Sequence, residues 1–358
     1  MSDKSKIEWT DDTRNPIRAE NAETGAIGWY CEHESEGCRN CYAERMNRWR
    51  GNGLAYLPSL RQRGAVRIFL DEDMLLAPLR QKRGRRIFWN DMSDLFGEWV
   101  PDAWIDRHFA LFALTPQHTH QVLTKRAARM RAYLCEPSTR ERIEHAQRAT
   151  NLPPTHNDPE HVKDWPLPNV WGMVSVEDQA TADARIPELL AAPLAVRGIS
   201  LEPMLGPVNL TSIGGTIDAL DGTDYEAIPP PGREYNRDGT LPRLDWVIVG
   251  GESGPGARPM HPAWVRAVRD QCGAVGVAFF FKQWGEYEPL GVMYPKGSGG
   301  AASLLACKGL LSGRHIEQNG FAWLRVGKKA AGRVLDGRTW DEVPAPHPKS
   351  AHPPRSLK

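Results

Sequence analysis

The sequence lacks several features that assign a chain to a broad class. No stretch approaches the roughly 18 apolar residues of a membrane-spanning helix, and no apolar core follows the polar residues 1–6. We therefore expect neither a membrane span nor a signal peptide. The formal net charge is only +1, so no overall field draws the protein to nucleic acid or membrane. These absences favour a cytoplasmic protein, whose thiols stay reduced.

Cysteine is scarce, with six residues in 358, and its distribution is uneven. A reducing compartment makes a disulfide framework the wrong interpretation of these residues. Three of them are isolated, as is typical of small buried apolar side chains. These are Cys135, Cys272 and Cys307. The other three, Cys31, Cys38 and Cys41, fall within eleven positions, and that crowding predicts a shared metal site.

The three crowded cysteines have the spacing C-x6-C-x2-C. Closed zinc sites usually come as two spaced pairs, although His33 allows a Cys3His zinc site to be written. Three thiolates on a cubane instead leave one iron without a protein ligand, and that iron can bind an exogenous chelate. We favour a 4Fe-4S cluster over zinc, with Cys31, Cys38 and Cys41 as its ligands.

Apolar runs alternate with helical stretches through the middle of the chain. Six of the runs are apolar enough for parallel strands buried on both faces. They are 86–90, 120–124, 170–175, 196–201, 246–250 and 277–281, and a seventh run, 66–70, fits a strand or a helix start. Helical spacing is present at 101–114, 125–134, 179–190 and 262–276. This order predicts an α/β fold with a parallel (β/α) sheet, open or closed, as a partial or complete TIM-like barrel.

The predicted domain spans residues 1–345, with the cysteine loop at 31–41 before the strand at 86–90. Two segments rich in proline and aspartate interrupt the pattern, at about 153–168 and 211–243. We interpret both as surface insertions. The last residues, 346–358, contain four prolines and three basic residues, so we expect a disordered tail.

Polar side chains follow almost every predicted strand. Helix capping and loop solvation explain any one such residue. Ligands of parallel α/β folds gather at the carboxyl ends of the strands, so six polar loops in phase predict a pocket at one rim. Those loops include 90–94, 124–126, 175–178, 202–204, 250–254 and 282–285.

Several motifs between Lys6 and about Trp340 are similar to those of a known family. They include Ile7-Glu8-Trp9-Thr10, Asn15-Pro16, Gly37-Cys38-Arg39-Asn40-Cys41-Tyr42-Ala43-Glu44, Met92-Ser93-Asp94-Leu95-Phe96, Val174-Ser175-Val176-Glu177, Leu201-Glu202-Pro203 and Phe281-Lys282-Gln283-Trp284-Gly285. With them the chain resembles the phage- and prophage-associated three-cysteine-motif family of uncharacterised proteins, thought to be related to radical S-adenosylmethionine enzymes. It departs from that family in the longer loop 18–29, and from the C-x3-C-x2-C spacing of radical enzymes.

The resemblance implies an enzyme of the radical S-adenosylmethionine type. Its reduced cluster would split S-adenosylmethionine, and the 5′-deoxyadenosyl radical would abstract a substrate hydrogen. The phage association implies a nucleotide or nucleic-acid base as substrate, and the chemistry needs an electron donor that the sequence does not name. The alternative is a non-catalytic, metal-stabilised nucleic-acid-binding or accessory phage protein, for which the basic run 80–86 and the 13 tryptophans are the best support.

Strand order and analogy assign roles at the rim. The expected cofactor-binding residues are Tyr42, Met92, Ser93, Asp94, Ser175, Glu177 and Glu202. Glu252 and Lys282, which close two successive strands, are the expected catalytic residues and would hold the substrate. A simple ion pair closing the rim is the other interpretation of Glu252 and Lys282.

Overall fold

The computed structural model of the chain describes residues 5–150, 164–226, 236, 239–292, 315–318 and 321–345. The strands are β1 Asp12–Arg14, β2 Ile17–Asn21, β3 Ile27–Gly28, β4 Val66–Leu70, β5 Arg86–Trp89, β6 Thr119–Thr124, β7 Val170–Val176, β8 Val196–Leu201, β9 Trp246–Gly250, β10 Ala278–Gln283, β11 Tyr287–Val292, β12 His315–Gln318 and β13 Phe321–Arg325. The helices are α1 Tyr42–Arg50, α2 Pro58–Gln62, α3 Glu72–Leu76, α4 Asp102–Leu114, α5 Ala127–Cys135, α6 Thr139–Arg148, α7 Gln179–Ala191, α8 Pro262–Val275 and α9 Lys328–Ala331.

A seven-stranded sheet organises the fold, in the order β1-β5-β6-β7-β8-β9-β10. All six strand pairings are parallel, and the sheet curls into half a barrel with helices packed on it. Within the described residues no pairing joins β1 to β10. The predicted α/β class and the partial (β/α) barrel are therefore confirmed.

Two small antiparallel sheets flank the half-barrel. One has the order β3-β2-β4 and lies in the connection between β1 and β5, together with the cysteine loop. The run 66–70, which had no clear assignment, is β4 of this sheet and pairs antiparallel with β2. The other sheet, β11-β13-β12, follows the last strand of the half-barrel.

The concave face of the half-barrel changes from apolar to polar toward the carboxyl ends of the strands. Its lower layer is an apolar cluster that includes Trp9, Phe88, Trp171, Trp246 and Phe280. Successive side chains of a strand alternate between the two faces, so residues two positions farther on return to the same face. At those next positions the concave face carries polar side chains that line one cavity: Asn90, Lys125, Ser175, Ser200 and Lys282. The polar rim predicted from the sequence is thus the upper layer of this face.

Helix ends follow local sequence signals. Asp178 and Thr181 form a reciprocal capping box at the start of α7. Pro262 begins α8 at its first position, and Gly276 ends it with φ 73°, a left-handed conformation that glycine adopts without strain. The four helices predicted from periodicity appear as α4, α5, α7 and α8.

The predicted insertions are only partly described. Residues 211–226 carry Ile213, Ala219 and Leu220, which are fully buried in the main core between the sheet and its helices. Residues 227–235 and 237–238, most of the segment 153–168, and the tail 346–358 lie outside the described residues. No helix in the described ranges is long and apolar enough to cross a membrane.

Candidate metal centre

A cavity of about 400 Å³ opens at the carboxyl ends of the strands, and Cys31, Cys38 and Cys41 all line it. Most of the other predicted site residues line the same cavity. They are Tyr42, Met92, Ser93, Asp94, Ser175, Glu202, Glu252 and Lys282. Glu177 is not among the lining residues and is almost fully buried behind them.

The cysteine loop, residues 31–41, presents its three thiols from different local structures. Cys31 lies in extended backbone after β3, and Cys38 ends a short 3-10 turn, Glu36–Cys38. Cys41 immediately precedes α1, and its backbone N–H donates to the Cys38 carbonyl at 3.2 Å. The short Cys-x-x-Cys segment thus forms one tight turn into a helix.

Each sulfur has a group nearby that favours the thiolate. The Glu34 backbone N–H donates to Cys38 Sγ at 3.4 Å. Desolvation raises the pKa of Cys41 above its ordinary value, and the backbone N–H groups of Glu44 and Ala43 at the start of α1 oppose part of that effect. Desolvation likewise holds the pKa of Cys31 well above its ordinary value, Asp94 adds to that effect, and the Arg126 guanidinium opposes it.

The structure does not bring His33 together with the three thiols as a Cys3His zinc site requires. His33 Nε2 lies 2.5 Å from a carboxylate oxygen of Glu44, and His33 does not line the cavity. Within the described ranges, no three His, Cys, Asp or Glu side chains are arranged to hold a single metal ion.

A first carboxylate clamp ties the loop to β6. Asp94 Oδ1 accepts from the Thr124 hydroxyl at 2.7 Å, and Asp94 Oδ2 accepts from the Arg126 guanidinium at 3.0 Å. Arg126 also donates to the Glu32 carbonyl at 3.1 Å and lies over the Trp99 ring. The buried Asp94–Arg126 pair therefore holds the loop next to Cys31.

A second clamp comes from the end of β7. Glu177 Oε1 accepts from the Ser35 hydroxyl at 2.8 Å, and the carboxylate is also paired with Lys125 and, at 3.1 Å, with Arg185. Gly37 lies against it so closely that a Cβ there would come within 2.6 Å of Glu177 Oε1. Burial raises the pKa of Glu177, but the positive charges of Lys125 and Arg185 together outweigh burial and hold that pKa below its ordinary value.

A third clamp comes from the end of β9. Glu252 accepts from the backbone N–H of Arg258 at 2.8 Å and from its guanidinium at 2.8 and 2.9 Å. Arg258 in turn donates to the Glu36 carbonyl at 3.1 Å, and Asn40 donates to Glu252 at 3.1 Å. Despite the opposing effect of burial, Arg258 and Asn40 hold the pKa of Glu252 below its ordinary value.

These three clamps change the roles expected for their carboxylates. Every carboxylate oxygen of Asp94, Glu177 and Glu252 already accepts hydrogen bonds from protein donors. The three side chains therefore position the cysteine loop. Sequence reasoning placed Arg126 at the rim but missed Arg185, Arg258 and all three pairings, because the arginines belong to unrelated segments and no local signal pairs them with the carboxylates.

Two predicted residues form an ion pair inside the cavity. Lys282 Nζ lies 2.8 Å from both carboxylate oxygens of Glu202, and the Gln283 amide donates to the same carboxylate at 3.4 Å. Lys282 thus pairs with Glu202, so the ion pair between Lys282 and Glu252, one of the two interpretations of the sequence, is not formed. Ser175 accepts from the Lys125 ammonium at 3.0 Å on the neighbouring wall.

The turn after β5 forms the wall beside the thiols. Met92 packs with Cys31, Cys41 and Tyr56, and the Ser93 hydroxyl donates to the Tyr30 carbonyl at 2.7 Å. The Tyr42 hydroxyl donates to the Asp91 carbonyl at 2.8 Å.

Asn15 of the Asn15-Pro16 motif is hydrogen-bonded to this same turn after β5. The Asn15 amide donates to Asp91 at 2.6 Å and accepts from the Met92 N–H at 2.9 Å. Asn15 follows β1, so it fixes the turn after β5 to the end of the first strand.

The other cysteines are elsewhere. Cys135 is exposed at the end of α5, so the expectation of a buried side chain is wrong for this residue. Cys272 is buried in α8, where burial raises its pKa to about 12. Cys307 lies outside the described residues.

A buried histidine cluster below the cavity uses all of its ring nitrogens internally. Its members are His108, His118 and His120. His120 accepts from the Trp89 indole N–H at 3.0 Å and contacts the Thr115 hydroxyl at 2.9 Å. His108 donates to the Trp104 carbonyl at 2.7 Å and accepts from the Asn90 amide at 3.3 Å.

The third histidine is bound in the same way. His118 accepts from the Arg85 N–H at 3.2 Å and contacts the Pro78 carbonyl at 3.3 Å. Burial lowers the pKa of all three imidazoles, that of His108 to about 4. The cluster is therefore neutral at pH 7.

Fold and site together define an α/β half-barrel protein with a thiol-lined cavity at the carboxyl ends of its strands. A family model described as "Protein of unknown function (DUF5131)" matches residues 4–344, nearly the whole chain. The chain belongs to this family. Comparison with curated proteins gave no match, and comparison with solved structures gave none.

Proposed function

We propose that this chain is an iron–sulfur enzyme of the radical S-adenosylmethionine type, with Cys31, Cys38 and Cys41 holding a 4Fe-4S cluster. The observation that carries the proposal is the convergence of three thiols on one cavity, in a loop that three buried carboxylates hold in place. When bound, such a cluster supplies one electron and an open iron for reductive cleavage of the cofactor to a 5′-deoxyadenosyl radical.

The chain's own residues offer each sulfur a group that favours its thiolate, against the burial that raises the pKa of Cys31 and Cys41. Arg126, the Glu34 N–H and the first N–H groups of α1 each favour negative charge on a sulfur. Backbone N–H groups directed at sulfur also tune the reduction potential of iron–sulfur centres. The clamps keep the sulfurs in position before any iron arrives, because every clamp contact is made between protein groups.

The remaining polar groups of the cavity are the proposed binding residues for S-adenosylmethionine and substrate. Tyr42, Met92 and Ser93 line the wall next to the thiols. Ser175 lies on an adjoining strand, and Glu202 and Lys282 offer one carboxylate and one ammonium. In this assignment the ion pair between Lys282 and Glu202 opens in part, and one of the two side chains then pairs with an ionic group of the bound molecule.

Substrate, partner and location belong to the same proposal. A nucleotide or nucleic-acid base is the proposed substrate, supported by the resemblance to phage- and prophage-associated proteins. The electron comes from a reducing partner protein, and a cytoplasmic location keeps the thiols free for iron.

The test is anaerobic purification, followed by iron and sulfide analysis and a reaction with dithionite and S-adenosylmethionine. We expect a brown protein with a broad absorbance near ~400 nm and roughly four irons per chain. Release of 5′-deoxyadenosine is the expected product signal. A colourless, zinc-loaded protein that gives no 5′-deoxyadenosine would contradict the proposal and favour the non-catalytic nucleic-acid-binding alternative.

A further inference from the structure

The helix that begins at the cysteine loop has an unpartnered outer face. On α1, Tyr42, Met46 and Trp49 are 44, 37 and 71 % exposed. Their spacing of four and then three residues places them in one row along the helix. Large apolar side chains in such a row on a surface helix mark an interaction site rather than core.

The row is flanked by positive charge. Arg45, Arg48 and Arg50 are all exposed on the same helix, and the Arg50 guanidinium lies 4.0 Å from the centroid of the Trp49 ring. Glu44, the one acidic residue of α1, is 14 % exposed and is bound by His33 and Arg48. The outer face of α1 is therefore aromatic and cationic.

This face is continuous with the cavity. Tyr42 is at once the first residue of the exposed row and a lining residue of the cavity. A cavity of about 400 Å³ is near the lower end of the size range of small-molecule sites, so one adenosyl cofactor fills much of it. A larger substrate must then approach from outside, past Tyr42.

We propose that the α1 face, comprising Tyr42, Arg45, Met46, Arg48, Trp49 and Arg50, binds single-stranded nucleic acid and guides one nucleotide to the cavity mouth. Bases stack on the exposed rings, and the guanidiniums pair with phosphates. Tyr42 and Trp49 are seven residues apart, about 10.5 Å along the helix axis, which is roughly three nucleotide steps. The inference rests on the proposed function, since it makes the substrate a polymer.

The shape of the face favours a strand over a protein partner. A stable protein interface buries about 800 Å² on each side around a broad apolar centre. The apolar part of α1 is one side chain wide, with arginines close beside it, which matches a ribbon of bases with phosphates along its edge. An acidic electron-carrier protein is the competing occupant that the test must separate.

The test measures anisotropy of a fluorescein-labelled 12-nucleotide oligothymidylate with the full, cluster-loaded protein. We expect saturable binding that Trp49→Ala weakens about tenfold or more, as for loss of one stacking ring. Tyr225→Ala is the matched control, because Tyr225 is 65 % exposed in another segment. It should leave the affinity unchanged.

A second pair of variants tests the charges. Arg48→Glu should weaken binding and reduce the slope of log affinity against log salt by about one or more. Arg148→Glu is the control, since Arg148 also pairs with a glutamate four residues before it. If Trp49→Ala impairs folding, seen as a lower melting temperature, this pair carries the test alone.

Three results would overturn the inference: absence of oligonucleotide binding at low salt, equal effects of test and control variants, or displacement of the oligonucleotide by polyglutamate at equal charge. The last would assign the face to an acidic protein. Iron content and 5′-deoxyadenosine are measured on the same samples. If both persist while oligonucleotide binding fails, the proposed function stands and only the polymeric substrate is wrong.

Discussion

The cysteine loop and the buried histidine cluster both gather three side chains of metal-binding type, yet they are built in opposite ways. Every ring nitrogen of His108, His118 and His120 has a partner within the protein. The three sulfurs line a cavity, where Cys38 Sγ accepts from the Glu34 N–H at 3.4 Å and Cys31 Sγ lies 3.7 Å from the Glu32 carbonyl. The carboxylates around the loop are paired with cations, whereas the sulfurs make these weak contacts and still border the cavity.

The difference shows that a candidate ligand set is recognised by donor atoms that border a cavity. The histidines are of a metal-binding residue type, but their ring nitrogens are bonded within the core and contribute a polar network there. The cysteines stabilise little by themselves, because their loop is held by Asp94 and Glu177 from the main sheet. The two clusters should therefore respond oppositely to mutation.

The largest expected effect is loss of iron when a loop cysteine is replaced. Cys38→Ser should reduce iron from roughly four per chain to below about one, and should abolish 5′-deoxyadenosine release. The melting temperature of the metal-free protein should change little, because the clamps remain. Cys272→Ser is the control: it places a hydroxyl in the core and should lower stability while keeping the iron. Full iron content in Cys38→Ser would remove this residue from the site.

A substitution in the histidine cluster should lower stability and leave the iron content unchanged. His120→Ala removes the acceptor of the Trp89 indole and the ring stacked 4.3 Å from Phe112, so we expect a loss of about 3–4 kcal/mol in unfolding free energy. Urea unfolding of the metal-free protein measures this. Iron content after reconstitution should equal that of the wild type. A stable variant that has lost a metal would show that the histidines bind one.

A glycine substitution tests the second clamp without touching a thiol. Gly37→Ala drives a methyl group into Glu177, which Lys125 and Arg185 hold in place, so the turn bearing Cys38 must shift. We expect iron to dissociate several-fold faster in a chelator challenge.

A matched glycine in a helix provides the control for that variant. Gly273 lies inside α8 with open space around it, so Gly273→Ala should keep the iron and gain roughly 0.5–1 kcal/mol of stability. Equal chelator rates in the two variants would mean that the contact between Gly37 and Glu177 does not position the loop.

The last expected effect is confined to acidic pH, and it is a pH dependence of stability that belongs to the histidines. The pKa of His108 falls from 6.5 in the unfolded chain to about 4 in the fold, so the unfolded state binds more protons between those values. Stability is complete above pH 6.5 and falls as the pH drops toward 4, by about 2 kcal/mol from this group at pH 5. His108→Gln should flatten that slope in urea titrations of the metal-free protein. An unchanged slope would show that His108 is not the group responsible.

The sequence predicted the strands of the half-barrel well, because buried parallel strands are continuous apolar runs. It missed β1, whose three residues Asp12–Arg14 are polar and carry no such run. It predicted binding or catalytic roles for Asp94, Glu177 and Glu252, and the structure shows that their carboxylates hold the cysteine loop. Their arginine partners and the histidine cluster depend on contacts between distant segments, which periodicity and local motifs do not encode.

The residues that clamp the cysteine loop are far from it in the sequence, and this affects when the loop can be fixed during synthesis. Ser35 and Glu177 are 142 residues apart, and Asn40 and Glu252 are 212 apart. The segment with the thiols leaves the ribosome early, yet its third anchor exists only after residue 258 has been made. Until then the loop lacks its contact with Arg258. If the proposed cluster is bound, we therefore expect its insertion to be a late step in the maturation of this protein, in contrast to small zinc modules in which the metal drives folding.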